Sequence, residues 1–389
     1  MLSKVKKIIY LNYINTLKGR IDENKGLIQV LVGPRQVGKT TSVLKLIEDF
    51  YKKSAYYVSA DKVFNTDSSW LLQQWNQARQ ENKILFIDEI QKCENWAEVI
   101  KKLFDESRRM KKKVRCVLLG SSSLEIQKGL TESLTGRFQL TQAYHWNYQE
   151  SKEAYGLSFE EYLKYGGYPG SYAFKKDSRE WADYVKNSIV GTVIEKDILQ
   201  YQNVKSPALF RQAFEILIGY PAQEISYTKL LGQLQDRGNV EVVKNYIHLY
   251  EGAFLIRALE KFSSKTVKTK SSSPKILPLA PCFYQLTVLD NYEMDERGRV
   301  FELLVGAQLV RTNEDLYYWR EGNFEVDFVI KRGRNIWAIE VKSGRARSKK
   351  GLEAFKMKYP QAHLVIIDSD NYFDFEMDPM GFLVSKTGS

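Results

Sequence analysis

Nine residues constrain this chain more than any other stretch: Gly33-Pro34-Arg35-Gln36-Val37-Gly38-Lys39-Thr40-Thr41. An apolar run, residues 27–32, precedes them, and a helical pattern, residues 39–50, follows. The spacing G-x-x-x-x-G-K-[ST] in a strand-to-helix connection is that of a phosphate-binding loop. Glycines let backbone N–H groups close around phosphate oxygens, and the helix N-terminus favours their charge. Lys39 is expected at the β- and γ-phosphates and the Thr40 hydroxyl on Mg²⁺. Gly33 through Thr41 are therefore the candidate nucleotide-binding residues, with ATP and Mg²⁺ as cofactors.

A loop of this kind binds phosphate without necessarily hydrolysing anything. The run Lys83–Ile90 supplies further parts, an apolar strand ending in Asp88-Glu89. Asp88 is expected to help hold Mg²⁺, and Glu89 to polarise the attacking water. The next apolar run, residues 114–120, ends in Ser121-Ser122. Ser121 joins the candidate nucleotide-binding residues as a γ-phosphate sensor, the plainer reading being a helix cap. Arg137, in Glu132–Phe138, is either a catalytic arginine acting on its own or a neighbouring site, or a surface arginine. Alternating strands and helices through this region predict a parallel α/β sheet with strands buried on both faces.

Taken in order, Gly33–Thr41, Ile84–Gln91, Leu118–Ser123 and Ser133–Phe138 resemble prokaryotic AAA-type ATPases with a C-terminal domain of unknown function. The resemblance implies a five-stranded P-loop core over residues 1–150 and an arginine finger at Arg137. Residues 140–151 depart from it, lacking a proline-containing step usual in that family.

Residues 151–224 read as a helical lid or linker region, with a turn cluster at residues 165–171. Within it, Glu195 and Asp197 resemble an acidic pair of the same family and read as helix-surface charges. Residues 225–264 suggest a winged-helix-like module turning at Gly238. Its second helix would turn Lys244, Asn245 and His248 toward a DNA groove, the other reading being a protein-interaction or structural role. The Lys-, Ser- and Pro-rich residues 265–281 read as a linker.

Residues 282–389 form the last expected domain, also α/β. A helix over residues 298–312 aligns Phe301, Leu304, Val305, Gln308 and Leu309, with Glu302 among them. Arg332–Asn335 predicts a two-residue hairpin turn that sets Asp327 opposite Glu340. Alternation puts Val326, Phe328 and Ile330 on one face and Asp327 on the other. Asp327, Glu340 and Lys342 then converge as a candidate second metal site, Lys342 being its catalytic cation. This pattern resembles the PD-(D/E)XK, restriction-endonuclease-like fold, with Glu302 as its helix acid. The plainer reading is a charged strand edge in which Lys342 offsets the acids. Arg345, Arg347, Lys349 and Lys350 follow as candidate contacts to a phosphate backbone.

A net charge of +11 and a pI near 9.2 favour a polyanionic partner such as DNA or RNA. Cys93, Cys116 and Cys282 are widely spaced, which argues against a disulfide framework and for a reducing, cytoplasmic setting. No apolar run is long enough to span a bilayer. The expectation is an Mg²⁺-dependent ATPase coupling nucleotide state to a nuclease-like domain. The alternative is a nucleotide-driven signalling or assembly switch, working through a protein partner or a homo-oligomer, with an inactive nuclease-like module.

Overall fold

Four short apolar runs and the more polar stretch Phe138–Gln142 become the strands of a parallel sheet in a computed structural model of the chain. The structure describes residues 10–62, 66–110, 113–121, 124–234, 239–263, 272–289, 294–343 and 349–387. Gly238, Ser122, Arg345 and Arg347 lie outside the described residues. Two compact units are formed, one from residues 1–144 with 191–203, the other from residues 145–190 with 204–389.

The first unit holds β1 (Ile28–Val32), β2 (Ala55–Ser59), β3 (Ile84–Asp88), β4 (Cys116–Leu119) and β5 (Phe138–Gln142). Their order is β2-β3-β4-β1-β5, all parallel. β1 and β3 are buried along their whole length, as continuous apolar strands between helical layers must be. The helix Trp96–Arg109 shows why the flanking segments are helical. Trp96, Ile100, Leu103, Phe104 and Ser107 recur at helical spacing on its buried side. Within the amphipathic N-terminal stretch, the helix Asn12–Glu23 buries Tyr13, Ile14, Leu17 and Ile21.

Strand order positions the chemistry. β4 lies between β1 and β3, so the loop after β1 and the acids ending β3 are separated by two strand spacings, about 10 Å. Ser121, just beyond β4, falls in the gap between them.

In the second unit, seven strands join one sheet: β6 (Gln223–Glu224), β7 (Ile256–Lys261), β8 (Lys275–Pro278), β9 (Asp315–Glu321), β10 (Phe324–Arg332), β11 (Asn335–Lys342) and β12 (His363–Asp368). Their order is β12-β11-β10-β9-β7-β8-β6. β8 lies within the stretch expected to be a linker, yet all four of its residues are buried. Its Lys-Ile-Leu-Pro sequence is an apolar strand behind a polar lead-in, which composition averaged over 17 residues conceals. β7 pairs with both β8 and β9, so the expected winged-helix strands continue into the C-terminal sheet.

The hairpin turn at Gly333-Arg334 forms, with Arg332 opposite Asn335 and Gly333 in the left-handed region at φ 61°. Simple alternation fails along β10. The register against β9 shifts between Val326 and Val329, placing one extra residue on β10. Val326 and Val329 consequently share a core with Trp319, Leu352 and Phe355, rather than Val326 sharing the face of Phe328.

Candidate functional site

The loop after β1 closes tightly on its own unit. A Cβ on Gly33 would stand 2.4 Å from the Ala143 carbonyl oxygen, so only glycine fits there. Gly38 lies at φ 87° and hands the chain directly to the helix Lys39–Leu46. Pro34 and Val37 are buried, Arg35 is half-buried, and Gln36, Thr40 and Thr41 are exposed. The buried Lys39 Nζ donates to the Gly33 and Pro34 carbonyls at 2.8 and 2.6 Å. Burial pulls its pKa down to about 8, against the opposing pull of Glu89, Asp197 and Asp88.

Two oxygens suited to a hard cation meet beside it. Thr40 Oγ1 donates to Asp88 Oδ2 at 2.7 Å, and Tyr57 on β2 donates to the same oxygen at 2.8 Å. Oxygens on neighbouring corners of an octahedron with bonds of about 2.1 Å would lie roughly 3 Å apart, so this pair suits Mg²⁺. Glu89 follows in the left-handed region at φ 52°, a conformation that side chains adopt at some cost. Burial first, and then Asp88, push its pKa up, while Arg35 and Lys39 oppose that shift.

From Glu89 a chain of polar side chains runs back to the loop. Gln91 Nε2 donates to Glu89 Oε2 at 2.5 Å and to Ser121 Oγ at 3.1 Å. Ser121 Oγ donates to Asp197 Oδ1 at 3.2 Å. Asp197, 1% exposed, takes both arms of Arg35, Nε at 2.7 Å and Nη2 at 2.6 Å. Burial disfavours the Arg35 charge, but the hydrogen bond and charge of Asp197 outweigh it and raise the pKa.

Asp197 is therefore no surface helix charge, although Glu195 is exposed as expected. The signal was the apolar spacing of Val193, Ile194 and Ile198, which puts Asp197 on the buried side. Sequence reasoning also passed over Gln91 and Tyr57. A polar cleft of about 930 Å³, lined in part by Arg35, Gln91, Lys92, Lys196 and Tyr201, borders this chain.

Arg137 does not reach its own loop. Its carbonyl accepts from Ile28 N at the start of β1, whereas the loop follows the other end of that five-residue strand, about 16 Å away. Its guanidinium grips Asp105 with both arms, at 2.9 and 3.0 Å.

The C-terminal acids are arranged differently. The β10–β11 ladder ends at Phe328–Ile339, and one step further the Asp327 carboxylate accepts from Val341 N at 2.7 Å. Lys342 bonds its strand neighbour Glu340. Among Asp327, Glu302 and Glu325 stands Lys275 of β8, 1% exposed, with Nζ 2.6 Å from Glu302, 3.5 Å from Glu325 and 3.8 Å from Asp327. Burial and the Asp327 charge raise the pKa values of Glu302 and Glu340, opposed by Lys275 and Lys342 respectively. The neighbouring acids hold Lys275 charged against its own burial.

Glu302 and Asp327 thus share Lys275, while Glu340 pairs with Lys342. A buried ammonium already supplies the positive charge among these acids. Among the described residues, no group of three or more His, Cys, Asp or Glu side chains could hold a metal ion. Lys275 escaped sequence reasoning because it lies in the supposed linker. Lys349 and Lys350 are exposed beyond β11.

Residues 25–163 match an AAA domain family. Residues 156–279 and 297–382 match two domains of unknown function, DUF8612 and DUF4143. The chain is similar to the uncharacterized protein MJ1544 of Methanocaldococcus jannaschii, 28% identical over 344 residues, covering 81% of this chain and 74% of that one. Among solved structures it resembles the Walker-type ATPase PABY2304 of Pyrococcus abyssi, with a TM-score of 0.49, 14% identity, 74% of this chain and 98% of the other covered. The Aquifex aeolicus DnaA bound to AMPPCP gives a TM-score of 0.33 and 14% identity over 63% of this chain and 89% of the other. The AAA match and the parallel sheet with its phosphate loop support an AAA-type ATPase fold for the first unit. No helix among the described residues is long and apolar enough to cross a membrane.

Proposed function

We propose that the protein is an Mg²⁺-dependent ATPase whose nucleotide state operates its second unit. The observation that carries this reading is the gathering of Lys39, Thr40, Asp88 and Glu89 around one glycine-bounded loop. Loop N–H groups and Lys39 would bind the β- and γ-phosphates, Lys39 exchanging two carbonyl partners for phosphate oxygens. Thr40 and Asp88 would hold Mg²⁺, which supplies charge neutralisation to the phosphates. Glu89 would take a proton from the attacking water, its raised pKa bringing it nearer the working pH of a general base. Ser121 would orient that water. Arg137 would act on a second copy's site, which requires a homo-oligomer.

Glu89→Gln tests the assignment. It should keep ATP binding and lose turnover by roughly 10²–10⁴-fold. Full turnover in that variant would remove Glu89 from the role of base.

For the second unit, the buried Lys275 favours a partner-contacting module over a metal-dependent nuclease. Among the described residues of 207–278 the elements run helix, strand, helix, helix, strand, strand, the order of a winged helix. Asn245 and His248 are exposed on its second long helix, while Lys244 is paired with Glu241 at 2.8 Å. So little free positive charge there favours a protein partner over DNA or RNA.

A further inference from the structure

The path of the chain through the first unit carries a consequence for how the two units communicate. Residues 191–203 pack with residues 1–144, but the chain on both sides of them, 145–190 and 204–389, belongs to the other unit. This short segment is thus tethered to the second unit at each end. Asp197, on the helical stretch Val193–Leu199, ties it to the nucleotide loop at Arg35. Val193, Ile194 and Ile198 anchor that stretch in the core, and Asp197 meets Arg35 and Ser121 there.

We propose that Asp197 is the positioning residue through which bound nucleotide acts on the second unit. The inference rests on the reading of residues 33–41 as an ATP site. Arg35 belongs to that loop, and a guanidinium binds phosphate with the same two-armed geometry it uses on a carboxylate. A terminal phosphate therefore competes with Asp197 for Arg35. A carboxylate as buried as Asp197 tolerates the loss of its counter-ion poorly, so the helical stretch beneath it must adjust. The link through Ser121 and Gln91 ties the same carboxylate to Glu89, which connects the adjustment to hydrolysis. ATP and ADP then impose different positions on a segment joined at both ends to the second unit.

Hydrogen exchange across residues 204–389 tests this in the full chain, with Mg²⁺ and saturating non-hydrolysable ATP analogue compared against Mg²⁺ and saturating ADP. Each protein is its own reference, so a general loss of stability cancels from the difference. The wild type should show a difference between the two nucleotides, and Asp197→Asn should shrink it by about fivefold or more. Arg35→Lys keeps the positive charge but loses the two-armed grip, and should shrink it in the same way. It decides the matter should Asp197→Asn fail to fold. A difference of wild-type size in either folded variant would overturn the proposal. Wild-type protein that binds both nucleotides yet shows no difference would overturn it while leaving the ATP site standing. Wild-type protein that binds neither would remove both.

Discussion

Each unit sets acids beside a buried lysine, and the two arrangements differ. In the first, Lys39 is bonded to the loop's own carbonyls, partners it can exchange for phosphate oxygens. Asp88 offers an oxygen alongside that of Thr40. In the second, Lys275 is sunk among the carboxylates of Glu302, Glu325 and Asp327 and also donates to the Asp327 carbonyl at 3.3 Å. An acid cluster is defined as much by its built-in cation as by its carboxylates. Where that cation sits within the acids, it offsets part of the charge a metal would meet.

Removing each lysine sharpens this comparison. Lys275→Met leaves three half-buried carboxylates without their buried partner, and the second unit should lose about 3–5 kcal/mol of stability in chemical denaturation. A loss near zero would mean the acids are solvated or protonated without it. Lys39→Ala removes charge-assisted contacts to phosphate and should weaken ATP binding by about 10–100-fold in a fluorescent-nucleotide titration, with the fold retained. Binding as tight as wild type would break the likeness of this loop to a phosphate site.

Acidity distinguishes the clusters more gently. The pKa of Glu340 is raised, by burial first and by Asp327 next. The folded state therefore holds this proton to higher pH than the unfolded chain, whose glutamates release theirs near 4.3. Stability from this group is greatest below that value and falls as pH rises toward and through the raised pKa. Melting of the second unit should drop between mildly acidic and mildly alkaline buffer, and Glu340→Gln should flatten that slope. An equal slope in both proteins would show that Glu340 titrates normally. The smallest effect is expected from Arg137→Ala, which removes a half-exposed pair with Asp105 and should leave the melting temperature almost unchanged. A large drop would assign Arg137 a structural role.

The two regions also differ in how far the sequence discloses them. The loop is contiguous, its strand and helix flank it directly, and Asp88-Glu89 end an unmistakable apolar run. Local chemistry therefore reveals most of that site. Asp197 joins it only because the chain returns 162 residues after Arg35, a closure that no local pattern encodes. In the C-terminal sheet, the Gly333-Arg334 turn is local and readable. The extra residue between Val326 and Val329 is not, because its cause is pairing with β9 rather than any breaker residue. Lys275 was concealed by its setting, since a polar lead-in gave a buried strand the composition of a linker. Arg137 was sequence-adjacent to the ATPase motifs, but strand direction carried it to the far end of the sheet.

The most direct test of the contrast is anomalous diffraction from crystals of the full chain grown with Mn²⁺ and a non-hydrolysable ATP analogue. The account predicts one metal peak per chain, beside Thr40 and Asp88, and none among Glu302, Asp327 and Glu340. A peak at the C-terminal acids, with Lys275 displaced from them, would contradict it.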